Sequence, residues 1–227
     1  MPETGVLPRT ASDSTIRSVY SRIARVYGAT LERLSRPTRT RAIELLSIQR
    51  GETAFDVGCG AGGGVLELGD AVGHEGVAIG LDVAPGMVRE TRRRASRSDL
   101  GDRTVVVEGD ARILPVRTGS IDAVLLSETL DLFDDRDART VLEEIDRVLS
   151  RDGRLCVVSM DRERYPRSRF LRLYEWFYRS VPGGDAFGCR PIDVETTLSA
   201  ADFEIDTTDE VRLGFGWPVT IALAQPR

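Results

Sequence analysis

Apolar residues follow two rhythms along this chain. Short runs bounded by Gly, Pro or Asp read as buried strands: Ala54, Phe55 and Val57 within Thr53 to Val57, Val77 to Leu81 running into Asp82, Val105 to Val107 within Thr104 to Glu108, Ala123 to Leu126 ending at Ser127, and Arg154 to Met160. Stripes at helical spacing alternate with these runs. Ile16, Val19, Tyr20, Ile23, Val26, Tyr27, Leu31, Leu34, Ala42, Ile43, Leu45 and Leu46 predict two or three helices before the first strand. Val65, Leu66, Leu68 and Val72 predict one after it, Met87, Val88 and Thr91 another, and Val141, Leu142, Ile145, Val148 and Leu149 a third, closed by Arg151-Asp152-Gly153. Such alternation predicts an α/β fold with a parallel, doubly wound sheet. Beyond it, Arg190-Pro191-Ile192 is expected to open a helix reaching Leu198 to Ala200, and Phe203 to Arg212 with Val219 to Ala224 to close the sheet as an antiparallel pair.

Composition bounds this picture. The 227 residues suit one domain, 15–227, behind a polar tail 1–14 expected to be disordered. Within it, 15–50 forms an N-terminal helical cap. No run of about 18 apolar residues occurs, and Met1 to Thr15 lacks a secretory pattern, so a cytoplasmic protein is expected. All 31 basic residues are Arg, yet the net charge is −5, which offers nucleic acid no overall basic field. Cys59, Cys156 and Cys189 lack C-x-x-C spacing, so neither a disulfide framework nor a metal site is expected. Cys59 and Cys156 read as small buried residues.

The chemistry starts where the first strand meets Gly58-Cys59-Gly60-Ala61-Gly62-Gly63-Gly64. Glycines there let the backbone turn tightly and approach a ligand, with the amides of the next helix pointing at it. Two cofactors fit these letters. Gly58, Gly60 and Gly63 satisfy the dinucleotide pattern G-x-G-x-x-G, and Asp56, Gly58, Gly60 and Gly62 satisfy D-x-G-x-G-x-G of S-adenosylmethionine (SAM) sites. A carboxylate at Asp56 repels a pyrophosphate and attracts an ammonium or sulfonium, although it could also simply cap the turn. Asp82, at the tip of the second strand, stands where ribose hydroxyls lie with either cofactor, and Val83 and Met87 just beyond it are expected to line the same site. Asp110-Ala111, at the end of the third strand, can accept the adenine amino N–H and offer a backbone N–H to the ring, and Ser127 ends the fourth strand beside the cofactor.

Asp56 to Gly62, Gly80-Leu81-Asp82, Gly109-Asp110-Ala111, Ile121 to Val124 and the stretch from Glu144 to Arg154 resemble, in order and spacing, the class I SAM-dependent methyltransferases. The likeness spans about residues 16 to 225. Within that class it is nearest the ubiquinone/menaquinone methyltransferases and related type 11 enzymes, whose Y-D-x-x-A-x-x-Y-D signature is similar to Tyr20-Ser-Arg-Ile-Ala-Arg-Val-Tyr27. Both acids of that signature are replaced, by Ser21 and Gly28, and Ser127 to Phe133 departs from the quinone enzymes. The resemblance implies a seven-stranded Rossmann-like sheet in order 3-2-1-4-5-7-6 with the last strand antiparallel. It implies SAM as cofactor, held by Asp56, Gly58, Cys59, Gly60, Gly62, Asp82, Val83, Met87, Asp110, Ala111, Ser127 and Tyr20. It implies transfer of a methyl group to a small lipophilic or aromatic acceptor, such as a quinone precursor or lipid. An NAD-dependent oxidoreductase and a non-catalytic SAM-binding subunit stand as alternatives.

The stretch Asp161 to Gly188 is the least standard. Tyr165, Phe170, Tyr174, Trp176, Phe177 and Tyr178 crowd among arginines, with Pro182-Gly183-Gly184 ending the expected helix. We expect a lid insertion over 161–190 that, with Tyr27 and Glu128, brings Tyr174, Trp176 and Tyr178 to the acceptor. The alternative is a core helix with a solvated basic face. Basic residues interleaved with aromatics also suit a peripheral membrane contact. If the reaction uses a base, Glu128, Asp131 or Tyr20 is the candidate, while His74 falls in a loop at the opposite end of the sheet.

Overall fold

The computed structural model describes residues 7, 11–180 and 190–227. Most of the 1–14 tail, Pro182-Gly183-Gly184 and Cys189 lie outside them. The seven strands are β1 (Thr53–Val57), β2 (Val77–Asp82), β3 (Thr104–Glu108), β4 (Ile121–Ser127), β5 (Leu149–Ser159), β6 (Phe203–Leu213) and β7 (Trp217–Pro226). They form one sheet in order β3-β2-β1-β4-β5-β7-β6, as expected. β1 to β5 run parallel, and β7 runs antiparallel to both β5 and β6.

Alternate side chains of the central strands point to opposite faces, and each face has its own core. Phe55, Val57, Val124, Leu126, Leu155 and Val157 meet α6 (Asp135–Val148) and α8 (Val194–Ser199) on one side. Ala54, Ala123, Leu125, Cys156 and Val158 meet α3 (Arg36–Leu46) and α4 (Gly63–Val72) on the other. Helix α6 buries Ala138, Val141, Leu142, Ile145 and Val148 at helical spacing, and the Asp134 side chain caps it by accepting the Asp137 N–H at 2.8 Å. Each fully buried Leu, Ile or Val of these cores contributes about 1.5–3 kcal/mol.

Three helices precede β1: α1 (Asp13–Ala29), the short α2 (Leu31–Leu34) and α3. They do two different things. Ala42 and Leu46 of α3 cover the sheet, whereas α1 lies on α5 (Pro85–Ala95), beyond the strand ends. Ser12 accepts the Thr15 N–H at 3.2 Å and starts α1 at Asp13, and Leu7 is buried.

Two boundaries differ from the sequence reading. β5 begins at Leu149, not Arg154: Leu149 pairs with Ile121, and the register then shifts so that Arg154 meets Ala123. Residues 190–192 are not helical, since Ile192 bridges to Asp161 and the preference of a residue before proline for extended backbone holds Arg190 out of a helix. Asp193 caps α8 instead, accepting the Thr196 N–H at 3.0 Å.

Candidate functional site

The chain leaves β1 into a loop folded back over the end of β2, where the Gly58 and Cys59 amides both donate to the Leu81 carbonyl, at 2.8 and 2.9 Å. Gly58 sits at φ +80°, and a Cβ there would lie 2.2 Å from the Thr129 Oγ1. No other residue fits that position. Asp82 fastens the loop from below, with Oδ2 accepting the Gly60 N–H at 2.9 Å and Oδ1 the Ala84 N–H at 2.8 Å. Thr91 of α5 adds a hydroxyl bond of 2.8 Å to the Gly60 carbonyl.

Above this loop lies a cavity of about 670 Å³, within the range of small-molecule sites. Its floor is Gly58, Gly60, Asp82, Val83, Gly109, Asp110 and Ala111 from the ends of β1, β2 and β3, with Ser127, Glu128 and Thr129 from the end of β4. Its roof is α1, which brings Ile16, Tyr20 and Tyr27, and Leu132 and Phe133 close one side. The Tyr20 and Tyr27 rings meet edge to face at 5.9 Å, and a Cβ on Gly60 would stand 3.8 Å from the Tyr27 ring.

Nine of the residues expected around the cofactor therefore line one cavity: Gly58, Gly60, Asp82, Val83, Met87, Asp110, Ala111, Ser127 and Tyr20. Tyr27 and Glu128, expected near the acceptor, share it too. Asp56, Cys59 and Gly62 do not. The Asp56 carboxylate is buried behind the loop at the first turn of α4, where the Val65 N–H bonds to it. It holds the helix start, the capping role, instead of facing the cavity. Burial pushes its pKa up to about 7, Glu32 and Asp82 add to the rise, and Arg39 and the Val65 N–H oppose it. Cys59 packs in the α3/α4 core, and Gly62 caps α4 against Thr91.

Tyr174, Trp176 and Tyr178 do not line the cavity either. They belong to α7 (Arg169–Ser180), whose Phe170 stacks between Tyr174 and Trp217 with centroids 6.1 and 6.0 Å away. Tyr178 is buried and Trp176 points outward, 61% exposed. The helix period turns the inward aromatics towards β7, so the roof comes from α1 alone among the described residues.

Electrostatics distinguish the three carboxyls of the floor. Burial pushes Asp82 up to about 6 against the pull of its two N–H bonds. Asp110 is held below its ordinary value, chiefly by the Arg112 guanidinium. Glu128, at φ +52°, is pushed up to about 8 by burial and then by Asp131, with Arg39 opposing. Asp131 lies deeper, accepting the Ser159 hydroxyl at 3.0 Å. His74 is exposed beside Arg103, away from the cavity.

Arg112 is the principal residue the sequence reading missed. Its guanidinium reaches Asp110 at 2.7 Å, Asp137 of α6 at 2.6 Å and Asp13 of α1 at 2.7 Å. Arg17 of α1 pairs with Glu108 at 2.6 Å. Together these tie the roof to the β3 end of the floor. Only the Asp110-x-Arg112 adjacency was visible in the sequence, since the other partners are remote along the chain.

Residues 54–153 match a family model described as a methyltransferase domain. That stretch holds the glycine loop and the strand ends Asp82 and Asp110 that form the cavity floor. Of the two cofactors that the glycine pattern left open, a match to a methyltransferase domain points to SAM. Curated relatives of the family include the nocamycin O-methyltransferase of Saccharothrix syringae, 35% identical over 60% of this chain and 48% of its own length. The demethylmenaquinone methyltransferase of Oceanobacillus iheyensis is 30% identical over 63% of this chain and 58% of its own length. The chain thus spans about half to three fifths of the curated relatives it matches. Among solved methyltransferases, a SAM-dependent enzyme from Aquifex aeolicus shares the fold at TM-score 0.63 and 19% identity, over 95% of this chain and 98% of its own. A putative methyltransferase from Haloferax volcanii, solved with its Trm112 activator, reaches 0.72 at 18% identity over 96% and 100% of the two chains.

The floor fits the family's methyl donor chemically. Each Asp82 oxygen accepts one N–H and keeps a lone pair for a hydroxyl, and Asp110 stays ionised beside the backbone of Ala111.

Proposed function

We propose that the chain transfers a methyl group from SAM to a small lipophilic or aromatic acceptor. The observation that carries this reading is the cavity itself, which joins a polar floor of Asp82, Asp110 and glycine backbone to the apolar and aromatic side chains Ile16, Tyr20 and Tyr27 of the roof and Leu132 and Phe133 at its side. A floor of that kind suits ribose and adenine, and such a roof suits a flat or greasy ring. The names of two relatives agree in class, since demethylmenaquinone and 2-phytyl-1,4-naphthoquinone are both quinones.

In this reading Asp82 takes the ribose hydroxyls and Asp110 with Ala111 takes the adenine. The methyl-bearing end then lies by Gly58, Ser127 and Glu128. SAM supplies an electrophilic methyl group for in-line displacement, so most of the acceleration comes from aligning the acceptor and excluding water. The roof helix does both. Glu128 faces the cavity from the strand end with a pKa near 8, high enough to accept a proton from an acidic acceptor hydroxyl as the methyl group is transferred. Asp131 lies behind it, and Tyr20 contributes its ring.

The test is transfer of isotopically labelled methyl from SAM to a panel of hydroxylated quinones, phenols and aliphatic alcohols. Labelled ring products are expected. Turnover confined to polar, ring-free acceptors would refute the acceptor class, and absence of SAM binding by calorimetry would refute the cofactor assignment for this chain.

A further inference from the structure

Helix α7 buries one side and leaves the other bare. Leu171 and Tyr178 face the protein, whereas Leu173, Trp176 and Phe177 on the opposite side are 65%, 61% and 42% exposed. These three are neighbours on the helix surface, at i, i+3 and i+4. Arg169, Leu173, Trp176 and Ser180 form one stripe, and Arg172 and Arg179 flank it, all of them exposed. A contiguous apolar patch with a tryptophan at its centre is costly to leave in water and marks an interaction surface.

The surroundings of the patch say what kind. At the N-terminal end of α7 a cleft of about 690 Å³ is lined by Arg164, Arg167, Arg169, Arg212, Tyr165 and Phe170. Arg164 is shared among Asp161, Glu195 and Glu210 at 3.4–3.8 Å, and Arg212 lies over the Tyr165 ring at 5.7 Å. Arg167, Arg169, Arg172 and Arg179 have no ion pair among the described residues. The one acid of the helix, Glu175, is taken by Arg162. On a protein of net charge −5, this face is therefore locally cationic. Apolar side chains ringed by arginines complement a surface that is greasy at one depth and anionic just above it. Helix α7 has 12 residues, and no described helix is long and apolar enough to cross a membrane.

We infer that the exposed face of α7 docks on an anionic lipid bilayer, with Leu173, Trp176 and Phe177 entering the headgroup boundary and Arg167, Arg169, Arg172 and Arg179 meeting lipid phosphates. The helix lies in the plane of the interface. Tryptophan is favoured at that depth, and arginine stems lie along the apolar boundary while their heads reach the phosphates.

The experiment is co-sedimentation of the full chain with phosphatidylcholine vesicles and with vesicles containing about a third phosphatidylglycerol, at low and high salt. Binding is expected to the anionic vesicles and to fall at high salt. Trp176→Asp/Phe177→Asp and, separately, Arg167→Glu/Arg169→Glu should each lower the partition coefficient about tenfold or more, with unchanged SAM affinity and unfolding midpoint. Absence of binding to anionic vesicles overturns the inference, as does equal binding to both vesicle types at both salt concentrations. A dimer in sedimentation velocity that Trp176→Asp/Phe177→Asp dissociates would assign the face to a second copy of the chain, and overturn it too.

Discussion

Gly58→Ala tests the glycine loop most directly, because the structure separates its cost into two parts. The first is backbone: at φ +80°, an L-residue costs about 1–2 kcal/mol relative to glycine. The second is contact, since the new methyl would fall 2.2 Å from the Thr129 Oγ1 and 2.4 Å from its Cγ2. Thr129 is buried and holds the Ser127 carbonyl through its hydroxyl at 3.0 Å, so it cannot swing clear. Overpacking of that kind costs about 1–3 kcal/mol. The total, about 2–5 kcal/mol, corresponds to a fall of about 4–20 °C in Tm for a domain of this size. Urea unfolding supplies the energy and calorimetry with SAM the affinity, which should fall as the loop moves off the Leu81 carbonyl. Thr129→Ala in the same chain should recover most of the contact part, since only its Cβ stays at 2.9 Å, and leave the backbone part, a coupling of about 1–3 kcal/mol. If Gly58→Ala is within about 0.5 kcal/mol of the wild type, or adds simply to Thr129→Ala, the loop geometry argued here is wrong.

Three further outcomes follow from the site. Asp82→Ala should weaken SAM binding by about 1.5–3 kcal/mol through lost bonds to a charged acceptor, with Asp110→Ala weakening it less; unchanged calorimetric affinity in both would remove the assignment. If Glu128 is the base, initial rates should rise with pH and level off above about 8, the pKa to which burial lifts it, and Glu128→Gln should abolish that dependence; a flat profile in the wild type sinks the role. Asp56 carries a stability signature of its own: its folded pKa of about 7 lies above the ordinary 3.8, so the native state holds its proton longer than the unfolded chain and stability from this group falls as pH rises from about 4 to 7. Asp56→Asn should therefore stabilise the protein at pH 8, by at most about 4 kcal/mol, and make little difference near pH 4 in urea titrations; destabilisation at pH 8 would refute it.

Strands β1 to β4 were legible because their Val, Leu and Ala runs stop at Gly, Asp or Ser, and those same stops are in the cavity floor. The beginning of β5 was not, since Ser150, Arg151 and Asp152 look like a turn and only the pairing of Leu149 with Ile121 draws them into the sheet. Composition gave the aromatic density of α7 but not its direction, which is set by Trp217, far along the chain. Arg190 shows the same limit. It reads as a helix start, yet its guanidinium reaches the Phe133 carbonyl at 2.8 Å and Asp135 at 2.7 Å, contacts that exist only once the strand ends are assembled.

The roof and the floor of the cavity have different standing within the family. Gly58, Gly60, Asp82 and Asp110 fall inside the matched stretch 54–153, whereas Ile16, Tyr20 and Tyr27 precede it. A methyl donor is common currency among such enzymes, so its cradle is what relatives can share. In the proposed reading, Ile16, Tyr20 and Tyr27 face the acceptor from a separate helix, fastened through Arg112–Asp13 and Arg17–Glu108 at its first turns. In that reading the 17 residues of α1 can vary the acceptor face, while Tyr20 and the Asp13–Arg112–Asp110 link tie the same helix to the cofactor floor.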